Sequence, residues 1–291
     1  MPIVVTGATG HLGRLAVESL LARGVAADTI VAGGRSIEKL ADLADRGVRT
    51  ARIDYTDAAS VAAALDGADA VLLVSGSEVG QRVEQHRIVI DAAVAAGVGR
   101  IVYTSAPQAT TSPLILAPEH KATEELLQAS GLAVTILRNG WYTENYVRIV
   151  TDAAGTGVIA ASVGDGRVSS ASRADYAEAA AAVLTTEGHE GAVYELSGDV
   201  AWNFAELADA ASELLGTPVS FQSLSPEEHL AALAAAGLDE GTAGFVVALD
   251  GNIRDGLLDG TSGELARLIG RPTTPLIDGL RAASVTAAVA V

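Results

Sequence analysis

The 291-residue chain contains no cysteine, which excludes disulfides, thiolate nucleophiles and cysteine-ligated metals together. Positive charge is scarce: 19 Lys and Arg stand against 36 Asp and Glu, for a formal net charge of −17. Lysine occurs only at Lys39 and Lys121 and no basic run appears, so the expectation is no nucleic-acid partner and no anionic membrane surface. Histidines are few and never paired at ligand spacing, which predicts no metal. No charge-free apolar run reaches the length of a membrane span, and the alanine-rich tail from Ala282 is too short for one. The first strand starts at residue 3 and leaves no room for a signal peptide, so a cytoplasmic location is expected. What the chain has is apolar residues, 49% of the total, enough for one large core or a core plus a smaller lobe.

The most informative stretch comes first. A buried-type strand, Ile3-Val4-Val5, runs into Thr6-Gly7-Ala8-Thr9-Gly10-His11-Leu12-Gly13 and then a helix with Leu12, Leu15, Ala16 and Leu20 on one face, ending at Arg23-Gly24. Gly7 permits a tight turn, Gly10 lets a pyrophosphate approach the backbone, and Gly13 lets the helix pack close to the strand. The helix N-terminus offers free N–H groups and a positive dipole end to phosphates. Gly7, Ala8, Thr9, Gly10, His11, Leu12 and Gly13 are therefore expected to hold a dinucleotide. A second strand, Thr29–Gly33, ends where NAD-binding chains carry an acid for the ribose 2′-hydroxyl. Here the sequence is Gly33-Gly34-Arg35-Ser36, and an arginine in that place suits a 2′-phosphate. NADP(H) is the expected cofactor, with Arg35 as a solvated loop charge the alternative.

Strands are expected at Arg49–Asp54, Ala70–Val74, Arg100–Thr104 and Val134–Arg138, with helices near 36–46, 57–65, 81–96 and 118–129 between them. That alternation predicts an α/β fold, a Rossmann-type doubly wound parallel sheet. A smaller, mainly helical C-terminal substrate lobe is expected after it. The division falls at residues 1–150 for the NADP-binding part and 151–291 for the lobe, with strand Val193–Leu196 rejoining the sheet. Lobe helices are expected near 204–215, 226–236, 243–258 and 264–269, with a final one past Pro275. Ligands of such sheets sit beyond the carboxyl ends of the strands. Asp54, Tyr55, Ser75, Gly76, Ser77 and Thr104 therefore join the cofactor set.

Several stretches together resemble a known group: TGATGHLG from Thr6, SEVGQR from Ser77, Gln85-His86-Arg87, RNGWYTENY from Arg138, SRADYA from Ser172, GHEGAVYEL from Gly188 and LIGRPTT from Leu268. The chain resembles the NmrA-like atypical short-chain dehydrogenases, within them the bacterial NAD(P)H:quinone oxidoreductases of type 2, close to the triphenylmethane reductases. The resemblance implies NADPH-dependent hydride transfer to a quinone without flavin, and it places Asn139 and Gly140 against the nicotinamide. The sequence agrees in having one dinucleotide fingerprint and no second glycine-rich turn for a flavin.

Most short-chain dehydrogenases carry Tyr-x-x-x-Lys on the helix after the fifth strand. Aligned on Glu124, this chain has His120 at the lysine position and Leu116 at the tyrosine position, so no dedicated phenol acid is expected. A quinone tolerates that, because its reduction leaves a stabilised hydroquinone anion. His120 is the candidate catalytic residue, assisting protonation or binding the nicotinamide ribose; a histidine in water at a helix start is the bland alternative. Trp141, Tyr142 and Tyr146 form a cluster at a strand mouth in an aromatic-poor chain and are expected to make a slot for a planar acceptor. Packing between lobes is the alternative, most of all for Tyr146. Arg173, before a helix expected to start at Ala174-Asp175-Tyr176, is expected to close over cofactor or substrate, or else to pair with Asp175 or another acid of this acidic chain. Two other functions stay open from sequence: a non-catalytic NADP-sensing regulator, and an NADPH-dependent reductase of a ketone or other small substrate. Oligomeric state is not legible.

Overall fold

The computed structural model describes residues 1–289, so the last two residues of the expected 151–291 lobe and of its alanine-rich tail lie outside the described residues. In the first half the chain alternates as its patterning requires: β1 (Ile3–Val5), α1 (His11–Ala22), β2 (Ile30–Gly34), α2 (Ala41–Asp45), β3 (Arg49–Arg52), α3 (Ala58–Leu65), β4 (Ala70–Leu73), α4 (Arg82–Ala95), β5 (Arg100–Ser105), α5 (Ala117–Ala129) and β6 (Ala133–Asn139). The expected helix near 36–46 is instead a 3-10 turn, Ile37–Leu40, followed by the five residues of α2.

The second half holds more than helices: α6 (Val147–Thr156), β7 (Val158–Ala161), β8 (Arg167–Val168), α7 (Arg173–Thr185), β9 (Val193–Leu196), β10 (Trp202–Asn203), α8 (Phe204–Leu215), β11 (Ser220–Ser223), α9 (Pro226–Ala235), α10 (Glu240–Arg254), α11 (Glu264–Ile269) and α12 (Leu276–Val289). β7 pairs in parallel with β11, and β8 pairs antiparallel with β10. β8 and β10 lack the alternation that would announce them, since two residues cannot show a period of two. α7 starts where a helix is expected, at Ala174-Asp175-Tyr176, but nothing in its pattern announces its extent. Ala177, Ala179 through Ala182, Val183 and Leu184 are all buried, so the helix has no polar stripe to set against an apolar one.

One seven-stranded parallel sheet organises the molecule, in the order β3-β2-β1-β4-β5-β6-β9. β1, β2 and β4 are buried throughout, as strands covered on both faces must be. One face is covered by α1, α7 and α11, the other by α3, α4 and the Leu127 side of α5. A third apolar cluster, around Tyr146, Trp202, Phe204 and Leu207, is the core of the lobe. The chain reverses strand order between β1 and β4, which opens a crevice at their carboxyl ends. Among the described residues no helix is long and apolar enough to cross a membrane.

Candidate active site

The crevice is a cleft of about 460 Å³. Gly7 and residues 9–13 form its floor, with Arg35, Asp54-Tyr55 and Ser75-Gly76-Ser77 around it, as the sequence placed them. Gly7 has φ +62°, and a Cβ on Gly13 would come within 2.5 Å of the Gly7 carbonyl oxygen, so each glycine has the steric task expected of it. α1 begins at Gly10 without a side-chain cap, which leaves its first N–H groups facing the cleft for an anion. Ala8 and Thr104 do not line the cleft. Ala8 is buried and ties its N–H to Gly33 at 2.7 Å, and Thr104 Oγ1 accepts the Ser75 N–H at 2.9 Å. Both hold the walls in place. The donor set fits a dinucleotide diphosphate at the α1 N-terminus and a further anionic group at Arg35.

Behind the cleft, starting from Tyr55 in its lining, runs a column of rings. Tyr55, His86, Tyr103 and His120 follow one another at centroid spacings of 6.1, 5.4 and 6.0 Å. The Tyr55 hydroxyl lies 2.5 Å from Thr6 Oγ1 and 2.7 Å from the Val74 carbonyl, bracing β1 against β4. His86 Nε2 accepts the Gly76 N–H at 3.0 Å, which fixes the neutral tautomer with its proton on Nδ1. That proton goes to Thr123 Oγ1 at 3.0 Å, and Thr123 donates onward to the Glu119 carbonyl. His86 therefore positions the segment after β4 that walls the cleft. Sequence reasoning set His86 aside as one of several scattered histidines, and its place in a resemblance motif was the signal.

His120 is corrected by the same geometry. It is 5% exposed, neither in water nor at a titrating edge, and its Nδ1 lies 2.7 Å from the Tyr103 hydroxyl. Burial, then the nearby Arg82 charge, push it down to about 3. His86 is pushed down to about 3 by burial, then by His120 and Arg82. Held neutral near pH 7, His120 loses the expected part in protonation, and hydrogen bonding toward the nicotinamide ribose is the expectation that stays open.

The three aromatics after β6 do not form one slot. Trp141 lines a second cleft of about 230 Å³ with Gly140, Pro107 and Gln108 after β5, Leu196-Ser197 at the end of β9, and the 257–262 segment. Tyr142, pointing the other way along extended chain, packs edge-on against Tyr176 at 5.3 Å, and Arg173 covers its ring at 4.6 Å. Arg173 also donates to Asn145 Oδ1 at 2.8 Å, with Glu144 beside it, and not to Asp175. Tyr146 is withdrawn from the acceptor site. It is 3% exposed in the lobe core, edge-on to Trp202 at 4.7 Å, and its hydroxyl makes no hydrogen bond. Asn139 ends β6 buried, with Nδ2 3.4 Å from the Tyr142 hydroxyl and Oδ1 without a partner.

Three ion pairs, centred on Arg138 and Arg271, account for motifs whose roles were not legible. Arg138 grips the fully buried Glu124 with two hydrogen bonds, 2.9 and 2.7 Å, and reaches Glu195 at 2.8 Å, locking α5 and β9 to β6. Asp175, 0% exposed, receives Arg271 at 2.8 Å and the Thr274 N–H at 2.9 Å, so the SRADYA and LIGRPTT stretches meet each other and not the cleft.

Comparison with known proteins agrees with this architecture. The NAD(P)H-binding family matches residues 7–187. Quinone oxidoreductase 2 of Escherichia coli K12 is 48% identical over 96% of this chain and 97% of that protein. The crystal structure of the E. coli NADPH-dependent quinone oxidoreductase complexed with NADPH superposes with a TM-score of 0.91 at 47% identity, covering 96% of this chain and 98% of that one. The triphenylmethane reductase of a Citrobacter species complexed with NADP(H) gives 0.90 at 38% identity over 97% and 99% of the two chains. With the fold, the glycine turn and near full-length identity in agreement, the chain belongs to the NAD(P)H-binding, NmrA-like oxidoreductases of the quinone oxidoreductase 2 type.

Proposed function

We propose that this chain transfers a hydride from NADPH to a quinone or a similarly planar acceptor, without flavin or metal. The observation that carries the reading is a pair of clefts on the carboxyl edge of one parallel sheet, bridged by a single strand end. Thr104 of β5 holds the first cleft's Ser75, and Pro107 just beyond it lines the second. The α1 N-terminus and Gly10 receive the diphosphate, Arg35 the 2′-phosphate, and Asn139 offers its unpartnered Oδ1 at the nicotinamide end. NADPH, when bound, supplies the hydride.

Trp141, Pro107, Leu257 and Leu258 give the second cleft an apolar wall that excludes water and suits a flat ring. Gln108, Ser197 and Thr261 are the polar groups there for the acceptor's oxygens. Glu195 also lines this cleft but is held by Arg138. With His120 neutral and buried, the hydroquinone anion left by hydride addition takes its one proton from solvent, which that stabilised anion permits and an alkoxide would not. The resemblance of the E. coli and Citrobacter proteins supports this assignment. NADPH oxidation measured against a panel of quinones, dyes and simple ketones tests it: turnover is expected with quinones and not with ketones. NADPH binding without turnover on any acceptor would make the chain a sensor.

A further inference from the structure

In the cofactor cleft Arg35 is already engaged. Its Nη1 lies 3.0 Å from Glu78 Oε1, and the other carboxylate oxygen of Glu78 accepts from Gln85 Nε2 at 2.8 Å. Arg35 follows β2, Glu78 sits between β4 and α4, and Gln85 is on α4; all three line the same cleft. Glu78 rides on a segment fastened at both ends. Gly76 is held by His86 through its N–H and by Arg82 through its carbonyl, while the Gly80 N–H is bound by Glu119, to which Arg82 also pairs at 2.7 Å. The carboxylate is thus delivered to Arg35 by a braced loop and does not reach it by chance.

We infer that Glu78 is a specificity-determining residue that competes with the cofactor's 2′-phosphate for Arg35. The inference rests on the placement of NADPH proposed above and deepens it. The end of β2 lacks the carboxylate that an NAD-type cleft offers the ribose 2′-hydroxyl, and Glu78 supplies one from the loop after β4, across β1 in the sheet. With NADH, Glu78 keeps Arg35 neutralised and accepts the 2′-hydroxyl. With NADPH, the dianionic phosphate displaces Glu78 and takes the guanidinium with stronger, charge-assisted bonds. The residue pair therefore sets the NADPH to NADH ratio in opposite directions, Arg35 favouring one cofactor and Glu78 the other.

Dissociation constants measured by nucleotide fluorescence on the protein without acceptor test this independently of catalysis. An exposed pair of this kind is worth at most about 1 kcal/mol, so Glu78→Gln should tighten NADPH about two- to fivefold and weaken NADH. Binding of 2′,5′-ADP, which carries the 2′-phosphate and no nicotinamide, should tighten in parallel with NADPH. In an Arg35→Ala background the effect of Glu78→Gln on NADPH should vanish. An equal change for both cofactors, or none for either, overturns the inference while Arg35→Ala still weakens NADPH selectively. If Arg35→Ala leaves NADPH and NADH alike, the placement of the 2′-phosphate fails and this inference fails with it. Thermal melting of each variant separates a folding defect from a binding change, and Glu78 stands on an accessible loop where glutamine preserves shape.

Discussion

The two clefts stand side by side on one sheet edge yet are built in opposite ways. The first is mostly backbone: a turn, a helix N-terminus and the ends of β1, β2 and β4, with its phosphate floor drawn from one run of residues 7–13. The second is mostly side chain and comes from five segments more than 150 residues apart at the extremes, from Pro107 to Ser262. A backbone site depends on where main-chain atoms can approach a ligand, so small side chains make it. A side-chain site depends on which remote segments the tertiary fold brings together. The first should therefore fail sharply when sterics change at one residue, and the second should degrade by degrees.

The largest effect is expected at Gly10. Its φ of −97° accepts any residue, and an added Cβ meets only the Gly7 carbonyl oxygen at 3.3 Å. Gly10→Val should therefore fold yet put its methyl groups where phosphate must sit, weakening NADPH and NADH alike by about 100-fold or more, a loss of roughly 3 kcal/mol or more. Calorimetric titration beside a melting curve checks this, and a folded Gly10→Val protein with intact affinity would move the phosphates elsewhere.

Trp141→Ala should act only on the other cleft. Losing one apolar wall is expected to raise KM for a quinone roughly tenfold, about 1.4 kcal/mol, with KM for NADPH nearly unchanged. A parallel rise in both constants would mean that Trp141 supports the lobe and does not contact the acceptor.

A smaller, pH-dependent effect comes from the ring column behind the first cleft. His86 and His120 are held at about 3 in the folded protein, below their ordinary value near 6.5. Unfolding lets each take up a proton between those values, so their stabilisation is complete above about pH 6.5 and is lost as pH falls toward 3. Each histidine contributes a slope of up to about 1.4 kcal/mol per pH unit in that window. His120→Gln should flatten the fall of the urea midpoint between pH 6.5 and 5 by one histidine's share, a range chosen above most carboxylate titration. The wild-type rate profile should show no inflection from His120 near 6.5. An inflection there that His120→Gln removes would return the residue to the chemistry.

The smallest effect separates the lobe core from the acceptor site. Tyr146→Phe removes a buried hydroxyl that makes no hydrogen bond, so stability should be unchanged or higher by up to about 1 kcal/mol, with KM for quinone unaltered. A selective rise in that KM would put Tyr146 back beside the acceptor.

The same contrast governs what could be read in advance. The parallel alternation, the glycine turn and Arg35 were legible because each is encoded within a few neighbouring residues by hydrophobic period or by the absence of a side chain. The start of α7 was legible at Ala174-Asp175-Tyr176 but its extent was not, since a helix buried all round has no period to show, and neither were the two-residue strands β8 and β10. The expectation of a titrating His120 failed because burial is decided by what packs over a residue, here Tyr103 on β5 and Arg82 from α4. Neighbouring Trp141, Tyr142 and Tyr146 looked like one cluster in sequence, yet extended chain turns Trp141 and Tyr142 to opposite sides, and the 3-10 turn Thr143–Tyr146 then buries Tyr146 in the lobe core, against whose edge Trp141 packs.

By itself, the sequence determined the class of fold and the phosphate-binding turn, because both follow from local pattern and backbone sterics. Tertiary structure alone decided the acceptor cleft, the neutral state of His86 and His120, and the meeting of Arg35 with Glu78 across 43 residues. Those depend on long-range contacts and on exclusion of water, and no short stretch of residues carries either.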